Sequence, residues 1–99
     1  MTQTLAAACS YDEDIKKSRF AAYAAPVATV DQAMAFFAEH GDPTATHNCW
    51  AYRIGQQYRF NDDGEPSGTA GRPILHAIDG QDMDKVAVLT FLKKPLLDF

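Results

Sequence analysis

The chain has 99 residues, with nine Lys and Arg against thirteen Asp and Glu, a formal net charge of −4. That length holds one domain, and a 46 % hydrophobic fraction with six Phe, four Tyr and one Trp supplies a core and excludes a disordered chain. The acidic balance argues against non-specific binding of a nucleic-acid backbone by a whole face. Two cysteines, Cys9 and Cys49, are too few for a disulfide scaffold, no four closely grouped ligands give a zinc spacing, and a reducing, cytoplasmic setting is the simplest reading.

Residues 1–14 read as a loose arm ending in Asp12-Glu13-Asp14. Leu5-Ala6-Ala7-Ala8, ahead of Cys9, has neither the basic start nor the apolar length of a signal peptide, and no segment is long enough to span a membrane. Residues 15–25, with Phe20 and Tyr23, read as a strand that Pro26 ends, since proline cannot donate to a sheet ladder. Thr29-Val30-Asp31-Gln32 is a capping-box pattern: the threonine hydroxyl accepts from the N–H three residues on, and Gln32 reaches back. Val30, Ala33, Met34 and Phe37 then share a helical stripe and Gly41 is a natural stop, so a helix is predicted over 30–40.

Residues 47–54 suit a strand with Trp50, Tyr52 and Ile54 on one face. Gly55-Gln56-Gln57 reads as a hairpin loop, and Tyr58-Arg59-Phe60 starts the return strand. Residues 61–71 form a long turn-rich polar segment, of a kind that in a small domain is often functional. A second helix follows, with Ile74, Leu75 and Ile78 as its stripe and Gly80 as its close, and residues 85–92 read as a buried strand. The predicted fold is an α+β two-layer sandwich in the order β-α-β-β-α-β, a four-stranded, mostly antiparallel sheet with both helices on one face.

Three stretches carry a family resemblance: Ile15-Lys16-Lys17-Ser18-Arg19-Phe20 with Ala25-Pro26-Val27; Thr46-His47-Asn48-Cys49-Trp50-Ala51-Tyr52-Arg53-Ile54-Gly55; and the run from Arg59 to Ile74 through Asp62-Asp63-Gly64-Glu65-Pro66-Ser67-Gly68-Thr69-Ala70-Gly71. In this order they resemble the N-terminal domain of the YigZ/IMPACT family over about residues 12–88. The resemblance implies a fold similar to domains of a ribosomal small-subunit protein and elongation factor G, and a cytoplasmic role tied to translation. It places the domain at 15–92 and leaves 93–99 as an atypical tail. From Leu89 to Phe99 the resemblance fails: the family instead continues with an Arg-aromatic-aromatic-Gly-Gly segment, a glycine-rich turn and a long helix, and its bacterial members add a second domain that this sequence does not contain. A truncated or frame-altered copy would look like this. Loss of that helix would expose apolar surface, so a dimer or swapped oligomer is expected.

The candidate sites each carry a plainer reading. Asp62, Asp63 and Glu65 offer carboxylates for a cation or an acid/base pair, or simply cap a turn. Thr69, Gly71 and Arg72 enter a helix whose N-terminus suits an anion, or Thr69 is only its cap. Lys16, Lys17 and Arg19 form a strip for RNA phosphates, or a charged edge that discourages aggregation. His47 and Cys49 share a strand face as a nucleophile pair, or are a hydrogen-bonded imidazole and a buried thiol. Trp50, Tyr52 and Phe60 would stack bases, or fill the core. No cofactor motif and no metal-ligand spacing is present. The leading expectation is a non-enzymatic interaction module near translation, contacting ribosome, RNA or a translation-linked protein through the 61–72 loop and the basic strip. Two alternatives are a hydrolase built on His47, Cys49, Asp62, Asp63 and Glu65, and a fragment with no function of its own.

Overall fold

The computed structural model of the chain describes residues 4–15, 18–45, 47–61, 63 and 71–93, the side chains of Ile15, Ser18, Arg72 and Pro73 apart. Seven elements follow in order: β1 (Cys9–Ile15), β2 (Ser18–Pro26), α1 (Val30–His40), β3 (His47–Ile54), β4 (Gln57–Asn61), α2 (Gly71–Gly80) and β5 (Val86–Lys93). The strands form one sheet in the order β1-β2-β5-β3-β4, and every neighbouring pair is antiparallel. The α+β class is as expected, and β3 and α1 have the predicted bounds.

Local chemistry explains α1. The Thr29 hydroxyl accepts from the Gln32 N–H at 3.1 Å, and the Gln32 amide oxygen reaches back to accept from the Ala28 N–H at 2.7 Å. These bonds occupy donors that a helix start would otherwise leave unpaired. Ala33 and Phe37 point into the core, Val30 is partly buried, and Met34, predicted on the same stripe, is exposed at the stripe's margin.

Three expectations need correction. Residues 9–15 are not a loose arm but an edge strand, paired with β2 from Cys9↔Ala24 to Ile15↔Ser18. The sheet therefore has five strands rather than four. The sequence of β1 hides it, because Tyr11-Asp12-Glu13-Asp14 is exposed throughout and is held by ladder hydrogen bonds, not by apolar burial. Third, the helices lie on opposite faces of the sheet. Adjacent residues of a strand point to opposite sides. Trp50 and Tyr52 of β3, with Ala87 and Leu89 of β5, pack against α1. Ala51 of β3, with Val86 and Val88 of β5, packs against Leu75 and Ile78 of α2. The molecule is a sheet between two helices, not a two-layer sandwich.

On the α1 face the Phe37 ring stacks on Trp50 with centroids 4.6 Å apart, and Trp50 continues onto Tyr52 at 6.1 Å. These two rings are core, so the base-stacking reading fails for them. Phe60 lies partly buried on the other face, beside α2, and does not join them. At one end of the sheet Arg53 of β3 forms an ion pair with Asp79 of α2, and Asp84 accepts from the Gly55 N–H of the β3–β4 turn at 2.6 Å. Gly55 takes φ +63°, where a side chain would strain the turn.

Trp50→Ala is expected to cost about 3–5 kcal/mol, enough to unfold much of a domain this small. Met34→Ala, on the same side of the molecule, should change stability by no more than about 0.5 kcal/mol. Urea titration followed by far-UV circular dichroism measures both.

Candidate functional site

The strand registers put several predicted site elements at one rim of the sheet. β1 and β2 pair as far as Ile15↔Ser18, the residues flanking Lys16-Lys17. The same rim carries Arg19↔Lys93 of β2 and β5, His47↔Leu92 of β3 and β5, and Trp50↔Asn61 of β3 and β4. The β4–α2 loop leaves from this rim, and α2 returns to it: a Cβ on Gly71 would lie 2.7 Å from the Asn61 carbonyl oxygen. Only glycine permits that approach, so both ends of the loop are held together. From β2 to β4 the rim spans about 15 Å, three strand spacings.

Asp63 fixes the start of the loop. Its carboxylate accepts from the Asn48 N–H at 2.6 Å, its own N–H donates to the Asn61 side-chain oxygen at 2.6 Å, and its carbonyl accepts from His47 Nδ1. Its φ of +48° is a turn conformation that aspartate tolerates. The capping reading of Asp63 therefore holds. A carbonyl has only lone pairs, so His47 carries its proton on Nδ1 in this contact. His47 and Asp63 do meet, but through the main-chain carbonyl rather than the carboxylate. Cys49 is buried two residues on, and Thr90 faces it across the ladder.

Asn48, which residue types alone did not single out, is the hub of this rim. Its side chain accepts from the Asp42 N–H and donates to the Asp42 carbonyl, both at 2.9 Å, while its own N–H holds Asp63. Asp42 in turn accepts from the Thr44 N–H and hydroxyl at 2.8 and 2.7 Å, and Lys93 Nζ lies 3.2 Å from its other oxygen. The Thr44 bonds, joined by the Lys93 charge, hold the Asp42 carboxyl below its usual range. This network ties the α1–β3 connection, the end of β5 and the β4–α2 loop together.

Of the basic strip, Arg19 is exposed, 3.6 Å from Asp14, a surface pair that contributes little to stability. Lys16, Lys17, Asp62, Glu65, Thr69, the Arg72 side chain and residues 94–99 lie outside the described residues. Among the described residues no group of three His, Cys, Asp or Glu side chains is placed to hold a metal ion, and no helix is long and apolar enough to cross a membrane. A groove of about 290 Å³ lies elsewhere, between α2 and β2/β5, with an almost wholly apolar lining.

Comparison with known proteins agrees with this architecture. A model of the Impact N-terminal domain matches residues 16–91. An IMPACT family member in the pol 5′ region of Thermus thermophilus is 59 % identical over 75 residues, which cover 76 % of this chain and 41 % of that protein. The Escherichia coli IMPACT family member YigZ is 42 % identical over 86 residues, covering 78 % of this chain and 41 % of its own length. A crystal structure of a hypothetical protein superposes with a TM-score of 0.81 at 37 % identity, over 95 % of this chain and 49 % of the other. The chain thus spans less than half the length of these relatives.

Gly71→Ala should destabilise the fold by about 1–3 kcal/mol, because the added methyl meets backbone that cannot swing aside. Gly80→Ala, with open space around it, should be neutral or stabilising by up to about 1 kcal/mol. Chemical denaturation of the two variants separates these outcomes. The lowered Asp42 pKa sets a pH dependence. A carboxylate bound more tightly to its partners when ionised stabilises the fold above the ordinary carboxylate pKa, about 4, and stops doing so as pH falls through the lower folded value. The stability difference between wild type and Asp42→Asn should be largest near neutrality and vanish at the acid end, as measured by urea midpoints over a pH series.

Proposed function

The chain belongs to the Impact N-terminal domain family, and from that premise we propose that it is a binding module of the translation apparatus or its regulation, working in the cytoplasm without catalysis of its own. The contact surface is the rim that carries the β4–α2 loop and the residues flanking Lys16-Lys17. The observation that supports this reading is the use made of the rim's polar groups. Asp63 and Asn48 bond to main chain and hold a loop in place, and His47 donates to a carbonyl. A hydrolytic site would need its base and carboxylates to converge in a cleft with shifted proton affinities. The apolar groove beside α2 is lined by none of His47, Cys49 or Asp63. A loop anchored at both ends on a rigid sheet is instead a way to present side chains at low entropic cost on binding.

The partner class is ribosomal RNA or a ribosome-bound protein, met by Lys16, Lys17 and Arg19 with Arg72 from the loop. The net charge of −4 makes such a contact local and not spread over a face.

Co-sedimentation with salt-washed ribosomes across a salt titration tests it. Binding should weaken with salt, and Lys17→Glu/Arg19→Glu should lower the slope of log affinity against log salt by about two. Asp62→Ala/Arg72→Ala should weaken binding in a separate experiment while leaving the circular dichroism spectrum unchanged. No binding at low salt, or binding indifferent to both double variants, overturns the reading.

A further inference from the structure

Strand β1 ends the sheet, and among the described residues no strand lies beyond it. In an antiparallel ladder successive residues direct their N–H and C=O groups alternately to one neighbour and the other. Every second residue of β1 therefore turns these groups away from β2, and such an edge is a template for one more strand. Folds commonly close an edge with a proline, a lysine, a bulge or a very short strand. Between Cys9 and Ile15 there is no proline and no lysine, and all seven residues pair with β2 in an unbroken register. Cys9 to Asp14 are exposed. The opposite edge differs: β4 has five residues, its Phe60 packs on the α2-side core, and Gly71 lies against its last residue, Asn61.

The side chains of β1 state what fits its edge. Asp12 and Asp14 stand opposite Ala21 and Arg19, on the α1 side of the sheet, and Tyr11 and Glu13 stand opposite Ala22 and Phe20, on the α2 side. Arg19, 3.6 Å from Asp14, offsets one of the three negative charges and leaves Asp12 and Glu13. Tyr11, 57 % exposed beside the partly buried Ala22, is an apolar spot on this charged edge. The acidic run repels a second copy of β1, because like charges would face each other across the new ladder, and it attracts a basic strand for the same reason. Side chains of an added strand would stand about 5 Å from those of β1, close enough for both kinds of pair to count.

We propose that the outer edge of β1 docks an extended segment of another protein, basic opposite Asp12 and Glu13 and apolar opposite Tyr11, which joins the sheet as a further antiparallel strand. Main-chain hydrogen bonds to β1 supply the affinity, and the alternation of charge and Tyr11 along the edge supplies the register. A basic segment and an RNA phosphate are drawn to opposite charges, so this edge and the cations at the rim serve different partners and neither reading rests on the other.

Fluorescence anisotropy with the full chain and a labelled Lys-Arg-Lys-Val-Thr-Val peptide tests this, since that order, run antiparallel, sets Arg against Glu13, the second Lys against Asp12 and the first Val against Tyr11. Two further peptides carry backbone N-methyl groups, one on its odd and one on its even positions. Pairing with an edge uses only one of the two sets of N–H groups. One methylated peptide should therefore lose affinity by at least about tenfold, and the other should bind as the unmodified one does. Asp12→Asn/Glu13→Gln should weaken binding by about fivefold. Asp31→Asn/Glu39→Gln, which removes the same charge from exposed positions of α1, should leave it unchanged. Hydrogen exchange should slow at alternate amides of β1 when the unmodified peptide is bound. No binding overturns the proposal. So does binding that both methylated peptides retain, which is attraction of charge without strand pairing, or binding that both lose.

Discussion

The fold depends on burying both faces of its two central strands. Four consecutive residues of β3, Cys49 to Tyr52, are buried, as are Val86, Ala87 and Leu89 of β5. A strand with one wet face alternates apolar and polar residues, and these do not. Two helices are needed to cover them, one on each side. Alanines set how closely the helices approach: Ala33 of α1 and Ala87 of β5 share one core, Ala51 lies under α2, and all three are fully buried. Larger side chains there would push the helices off the sheet and open voids around Trp50 and Leu75. Other contacts, including the rim network, are arranged around strands whose positions this double packing has set.

What could be read from the sequence follows from how each element is held. Helix α1 was legible because its cap, stripe and stop are local, and β3 and β4 because period-two aromatics flank a glycine turn. β1 was not, since nothing apolar marks an edge strand held by its ladder alone. The opposite placement of the helices was written in Val86-Ala87-Val88-Leu89, an unbroken apolar run that signals two covered faces, yet economy of packing argued for one. At the candidate site, Asp63 was legible as a turn cap, whereas Gly71 was read only as part of a helix entry and its close approach to the Asn61 carbonyl was not foreseen. Asn48 was not, because its importance comes from bonding Asp42 and Asp63, six and fifteen residues away, and no spacing rule announces such a meeting.

The two ends of the sheet are secured by different means. At one end Arg53–Asp79 and Asp84–Gly55 join β3 to α2 and the α2–β5 turn through charged side chains. At the other, Asn48 and Asp63 bond mainly to backbone, which fixes the path of the chain more strictly than an exposed ion pair does. That second end is where the β4–α2 loop departs. The two ends of that loop, at Asn61 and Gly71, are held close together, which shortens the span its residues must cover.

The rim is nonetheless uneven in stability. Its β3–β4–α2 side rests on buried Ala51, Leu75 and Ile78 and on the Asn61–Gly71 approach. Among the described residues its β1–β2 side has no helix above it on the α2 face, and β1 is exposed from Cys9 to Asp14. Local opening follows the number of buried apolar contacts, so β1 should separate from β2 at lower cost than any other pair in the sheet. A partner that met the rim through both the residues flanking Lys16-Lys17 and the loop would then find a rigid contact on one side and a yielding one on the other.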